Sequence, residues 1–136
     1  GSEVARSSSA GRVFHDVDFA PGSGELLVAA GDGSVLRADA STGAIGEALL
    51  VAPTAALRIA VRSSDGLIAT GHDNGIVRLW SSNGQSQRVL RGHTREIGSL
   101  TFSRDGRFLA SGGGDRIVRV WDVETGENLA ALDSPN

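Results

Sequence analysis

The chain has 136 residues, 40% of them hydrophobic, and a formal net charge of −3 at pH 7, the size and balance of one globular domain. It contains no Cys, which excludes a disulfide framework and a thiolate metal site, and it has no run of eighteen apolar residues to cross a membrane as a helix. The thirteen basic residues, all Arg, are scattered among sixteen acidic ones, with only two Trp and four Phe. A phosphate-binding surface or a base-stacking platform needs a basic run or clustered aromatics, so nucleic acid is not an expected partner.

Residues 1–11 are polar and rich in small side chains, and nothing in them reads as a signal peptide. The opening Gly1-Ser2, in a chain without Met, reads as the remnant of a cleaved tag on a piece of a longer protein, followed by a flexible lead. The Arg, Ala and Gly bias leads to an expectation of a GC-rich bacterial source.

From residue 12 onward the chain repeats. Residues 34–39, 76–81 and 117–122 align, and the position held by Ala38, Trp80 and Trp121 recurs at intervals of 42 and 41 residues, the period of a four-stranded unit. The units span residues 12–52, 53–93 and 94–136.

Each unit carries its turns at the same places. The first falls at residues 21–24, Asp65-Gly66 and Asp105-Gly106; the second at Gly31-Asp32-Gly33, Asp73-Asn74-Gly75 and Gly114-Asp115-Arg116; the third at Ser41-Thr42-Gly43, Asn83-Gly84 and Thr125-Gly126. Between the turns lie short runs of Val, Ile, Leu, Phe and Trp, such as residues 17–19, 67–70 and 100–102. No stretch keeps a helical period for ten residues. The runs are nearly continuous in apolar residues, as in sheets covered on both faces. The expected fold is all-β, with three four-stranded antiparallel sheets.

Unit three reads Arg91-Gly92-His93, then Ser111, then Asp115, and closes on Trp121-Asp122, with 28 residues from His93 to Trp121. This resembles the WD repeat, with its Gly-His opening and Trp-Asp close. Unit two keeps Trp80 and the second turn, but Ser81 replaces the closing Asp and Ala52 stands where the His would be. Unit one is the most diverged, with Ala38 for the Trp, although Asp39 is kept. The resemblance covers about residues 12–134 and weakens toward the N-terminus.

That resemblance implies β-propeller blades, each locked by a buried hydrogen-bonded network. Carried over by position, the network is His93, Ser111, Asp115 and Trp121 in unit three. In unit two it is part of one, from Thr70, Asp73 or Asn74, and Trp80, and in unit one little more than Asp32. The family role it implies is a non-enzymatic, cytoplasmic scaffold that binds a protein or peptide at its rim. The rim candidates are His15, Asp16, Arg58, His72, Asn74, Arg95, Glu96 and Arg116.

His93, Ser111 and Asp115 are also the residue types of a hydrolase triad. The nucleophile-elbow pattern is absent around Ser111, where Leu109 holds the first Gly position, so no catalytic residue is expected. No metal or cofactor is expected either: His15, His72 and His93 are scattered along the chain, none with a second ligand at a recognised spacing, and the run Gly112-Gly113-Gly114 is not followed by the Lys and Ser/Thr of a phosphate loop. Arg78 and Arg119, each two residues before a Trp, are expected to lie along the blade near an indole. A ligand-binding or hydrolytic alternative would use the central channel. It would need ionisable groups on the innermost strands, where Val17, Ile59 and Ala60 are apolar.

Propellers close from about four blades upward. Three blades leave two open apolar faces, and the expectation is self-association, as a homodimer with six blades or a homotrimer with nine.

Overall fold

The computed structural model describes residues 12–133 except residue 23. The expected tag remnant and lead, residues 1–11, lie outside the described residues. Among those described, every regular element is a strand. The first sheet contains β1 (Phe14–Phe19), β2 (Glu25–Ala30), β3 (Ser34–Asp39) and β4 (Ile45–Val51). The second contains β5 (Ala56–Val61), β6 (Ile68–His72), β7 (Val77–Trp80) and β8 (Ser86–Leu90). The third contains β9 (Ile97–Phe102), β10 (Phe108–Gly113), β11 (Ile117–Asp122) and β12 (Asn128–Asp133). Within each sheet the strands pair antiparallel in chain order, so the expected three four-stranded blades are present.

The turns form by the chemistry their residues carry. Asp39 and Asp122 accept the backbone N–H groups two and three residues on, and Asp65 and Asp105 those two residues on, each side chain closing its own turn. The last residue of the second turn is left-handed in all three blades: Gly33 at φ 90°, Gly75 at 85° and Arg116 at 68°. Arg116 is the only non-Gly residue with positive φ among those described.

The cores lie between blades. Leu27, Ala29, Val35 and Leu50 of blade one pack with Ile59, Ile68 and Trp80 of blade two. Ala60, Ala69, Val77, Leu79 and Leu90 of blade two pack with Ile97, Leu109 and Trp121 of blade three. Alternate residues of a strand point to opposite faces, so each blade offers one face to the blade before it and the other to the blade after it. Blade two is covered on both sides, and every residue of its β6 is buried. Blades one and three are each covered on one side by their neighbour.

Equivalent positions follow from the pairing registers. Val35, Val77 and Val118 face Leu50, Leu90 and Leu132 across the third and fourth strands. Phe14, Ala56 and Ile97 open the innermost strands opposite Ala30, His72 and Gly113.

The innermost strands are also joined by polar links. Asp16 accepts its neighbour's Val17 N–H at 2.9 Å through one carboxylate oxygen and the Ile59 N–H of blade two at 3.0 Å through the other. Asp18 does the same for Phe19 N–H, at 2.8 Å, and Val61 N–H, at 2.8 Å. Arg58 Nε then donates to Gly98 O of blade three at 2.8 Å.

Candidate functional site

The polar groups buried in the blades form two chains of hydrogen bonds. In blade three, Ser111 on β10 pairs with Arg119 on β11, so Trp121 lies diagonally across the same face, within reach of a long side chain. Its indole Nε1–H donates to Ser111 Oγ at 2.8 Å. Ser111 Oγ lies 2.8 Å from His93 Nε2, and His93 Nδ1 lies 3.1 Å from both oxygens of Asp115. An ionised carboxylate can only accept, so Nδ1 donates to Asp115, and Nε2 of the neutral ring accepts the Ser111 hydroxyl proton.

Thr94 and Ile117 N–H groups also donate to Asp115, at 3.0 and 3.1 Å. Burial opposes the Asp115 charge. The Thr94 N–H, the His93 ring and the Ile117 N–H outweigh it and hold the carboxyl below the ordinary Asp range. The glycine run on β10 serves this cluster directly: a Cβ on Gly113 would stand 2.5 Å from Asp115 Oδ1 and 2.6 Å from His93 Nδ1.

Blade two builds the same first link and ends differently. Trp80 Nε1–H donates to Thr70 Oγ1 at 2.9 Å, and Thr70 Oγ1 lies 2.7 Å from Nε2 of His72. His72 Nδ1 faces two backbone carbonyls, Ala55 O at 3.0 Å and Thr54 O at 3.2 Å. The imidazole thus enters from β6, two residues beyond Thr70, and not from the strand connection that supplies His93. This corrects the expectation for His72, which is fully buried and not at the rim. Asp73 is exposed and stands outside this chain of bonds. Burial first, and Arg78 after it, lower the His72 pKa against the opposing pull of the Thr54 and Ala55 carbonyls.

Blade one has neither an indole nor an imidazole in these places. Val28 and Ala30 occupy the positions of Thr70 and His72, and Ala38 that of Trp80. Asp32 instead accepts from Arg12 Nε and Ser34 N–H, each at 3.0 Å, in an exposed turn.

The remaining rim candidates divide by exposure. His15, Asn74, Arg95 and Arg116 are exposed, Glu96 is half-buried, and Arg95 lies 3.6 Å from Glu96. Asp16 and Arg58 are corrected: both are half-buried on innermost strands, with polar atoms spent between blades. The central channel is therefore less apolar than Val17, Ile59 and Ala60 imply.

The guanidinium of Arg119 donates to Asn128 Oδ1 at 2.6 Å, and Asn128 pairs with Trp121 across β11 and β12. The cation–ring contact recorded among the described residues is Arg107 over Phe108, at 5.2 Å. Among the described residues no group of three or more His, Asp or Glu converges as a metal site.

The WD domain, G-beta repeat, matches residues 84–122. The chain is 36% identical over 75 residues to eukaryotic translation initiation factor 3 subunit I of Scheffersomyces stipitis, covering 55% of this chain and 21% of that protein. It is 30% identical over 111 residues to U3 small nucleolar RNA-associated protein 7 of Saccharomyces cerevisiae, covering 80% of this chain and 20% of that protein. Both relatives are eukaryotic, so the composition-based expectation of a bacterial source has no support from them. The crystal structure of the RRP9 WD40 repeats superposes with a TM-score of 0.81 at 20% identity, over 91% of this chain and 39% of that one, a likeness that shows the fold alone. The chain thus spans about a fifth of the curated relatives and two fifths of the solved structure. The WD repeat is thus matched over residues 84–122, the blades have the topology of a solved WD40 propeller, and the chain is similar to WD-repeat proteins.

Proposed function

We propose that this chain is a non-enzymatic, cytoplasmic protein-interaction scaffold whose open blade faces are covered by a second copy and whose partners do not include nucleic acid. The observation that carries the scaffold reading is the state of the one catalytic-looking trio. Ser111 and His93 are buried, and the Ser111 oxygen is held between an indole and an imidazole, so no carbonyl carbon can approach it. The trio serves as a blade lock. The initiation-factor relative is named as a subunit of a larger factor, which suits a scaffold role.

Two measurements test this. A fluorophosphonate probe is expected to leave Ser111 unlabelled, and labelling would favour the hydrolytic alternative. Light scattering is expected to give twice the 14.0 kDa of one chain at micromolar concentration, whereas a mass near 14.0 kDa removes self-association. For a protein or peptide partner, loss of binding on Arg95→Ala or Arg116→Ala would place its contact on the exposed rim.

A further inference from the structure

The innermost strands of the three blades end their ladders in the same phase. The N–H groups of Ala20, Arg62 and Ser103 donate to Glu25 O, Leu67 O and Phe108 O, each at 2.8 Å. Bonding residues alternate along an antiparallel pair, so counting back from these three fixes which groups point out of the sheet edge. They are the N–H groups of Val17 and Phe19, of Ile59 and Val61, and of Leu100 and Phe102.

In blades one and two these donors meet carboxylates. Asp16 and Asp18 accept from Val17 and Phe19 through one oxygen and from Ile59 and Val61 through the other. At the next junction the register puts Arg58 in the place of Asp16 and Ala60 in the place of Asp18. Neither side chain can accept. Arg58 donates instead, Nε to Gly98 O at 2.8 Å and Nη1 to Leu57 O at 2.6 Å. Among the described residues no acceptor meets Leu100 or Phe102 N–H.

A cavity of about 470 Å³ lies along this edge, and Ala60, Ser63, Leu100, Phe102 and the exposed Arg104 line it. Asp16 and Asp18 line it too, but both oxygens of each are already engaged.

We propose that the channel edge of β9 binds an acidic, extended segment of a partner protein, whose carboxylates take Leu100 and Phe102 N–H as Asp16 and Asp18 take Ile59 and Val61 N–H. The pattern sought is written in the chain itself: two acidic residues two positions apart, as in Asp16-Val17-Asp18. Arg58 and Arg104 supply the charge that favours such a segment over a neutral one. Both blades of this junction lie inside the chain, so the site does not depend on what covers blades one and three. The proposal rests on the scaffold reading and gives one partner its chemistry.

The test titrates the full chain with acetyl-Asp-Val-Asp-amide while its backbone amides are followed by NMR. The Leu100 and Phe102 amides are expected to shift saturably, and to stay in place with acetyl-Asn-Val-Asn-amide at the same concentration. Ala60→Asp supplies a carboxylate from the chain itself. Its Phe102 N–H is expected to gain exchange protection and to lose the response to the peptide. Arg58→Gln, which keeps the fold independent of that core position, is expected to weaken peptide binding about threefold. Equal shifts with the two peptides, or none at Leu100 and Phe102, overturn the proposal. Equal saturation by acetate overturns the choice of a peptide segment. Each of these failures leaves the scaffold reading standing, whereas labelling of Ser111 counts against that reading and not against this site.

Discussion

Blades two and three solve one problem with different parts. Each buries an indole N–H and a hydroxyl on the same sheet face, and each needs an imidazole to take the hydroxyl's proton. In blade three that imidazole is backed by a carboxylate. In blade two it is backed by the carbonyls of Thr54 and Ala55, and burial disfavours a proton gained by His72. The same indole, hydroxyl and imidazole thus end on a carboxylate in one blade and on backbone carbonyls in the other.

The sharpest way to break this comparison is to remove the shared hydroxyl. Ser111→Ala and Thr70→Val each leave an indole N–H and an imidazole nitrogen buried without a partner, an expected loss of about 2–4 kcal/mol in urea unfolding. A cost for Thr70→Val no larger than that of a surface change would mean that blade two has no working lock. The next effect separates the acids: Asp115→Asn is expected to cost about 1–3 kcal/mol, while Asp73→Asn should fall within about 0.5 kcal/mol of wild type.

pH sharpens the contrast further. The folded pKa of His72 is lowered, so the stability it contributes is present above the unfolded His value of about 6.5 and is lost as pH falls from there toward the folded value. The folded pKa of Asp115 is also lowered, so its contribution persists until pH falls below the unfolded Asp value of about 3.9. Trp80 and Trp121 are the only two indoles in the chain, one per lock. Their indole N–H resonances should lose exchange protection in that order as the solution is acidified, and loss in the reverse order would overturn the assignment. The smallest expected effect is at the second turn. Arg116→Gly relieves a left-handed residue where blade two already has Gly75, for a gain of roughly 0.5 kcal/mol in the same unfolding measurement.

Blade three was legible because its sequence keeps every element of the lock at the repeat's own spacing, from His93 to Trp121. Blade two was misread for a specific reason. The imidazole was sought 28 residues before Trp80, where Ala52 stands, although Thr70 and His72 are two residues apart in an apolar run. Residues at that spacing on a strand share a face, so the pair carried the signal without the expected spacing. Asp16 and Arg58 were misplaced because their partners, Ile59 N–H and Gly98 O, belong to the next blade's backbone. A contact between main chain and side chain some forty residues apart leaves no pattern in either segment.

The carboxylates of Asp16 and Asp18 have a geometric consequence of their own. Each grips its own strand with one oxygen and the following strand with the other, so β1 and β5 are held a fixed step apart beside the axis. That step, set against the bulk of Trp80 and its apolar neighbours farther out, fixes the wedge angle between blades one and two. The arc of the assembly, and with it the number of sectors that fill a circle, is therefore written partly in two short acidic side chains at the hub.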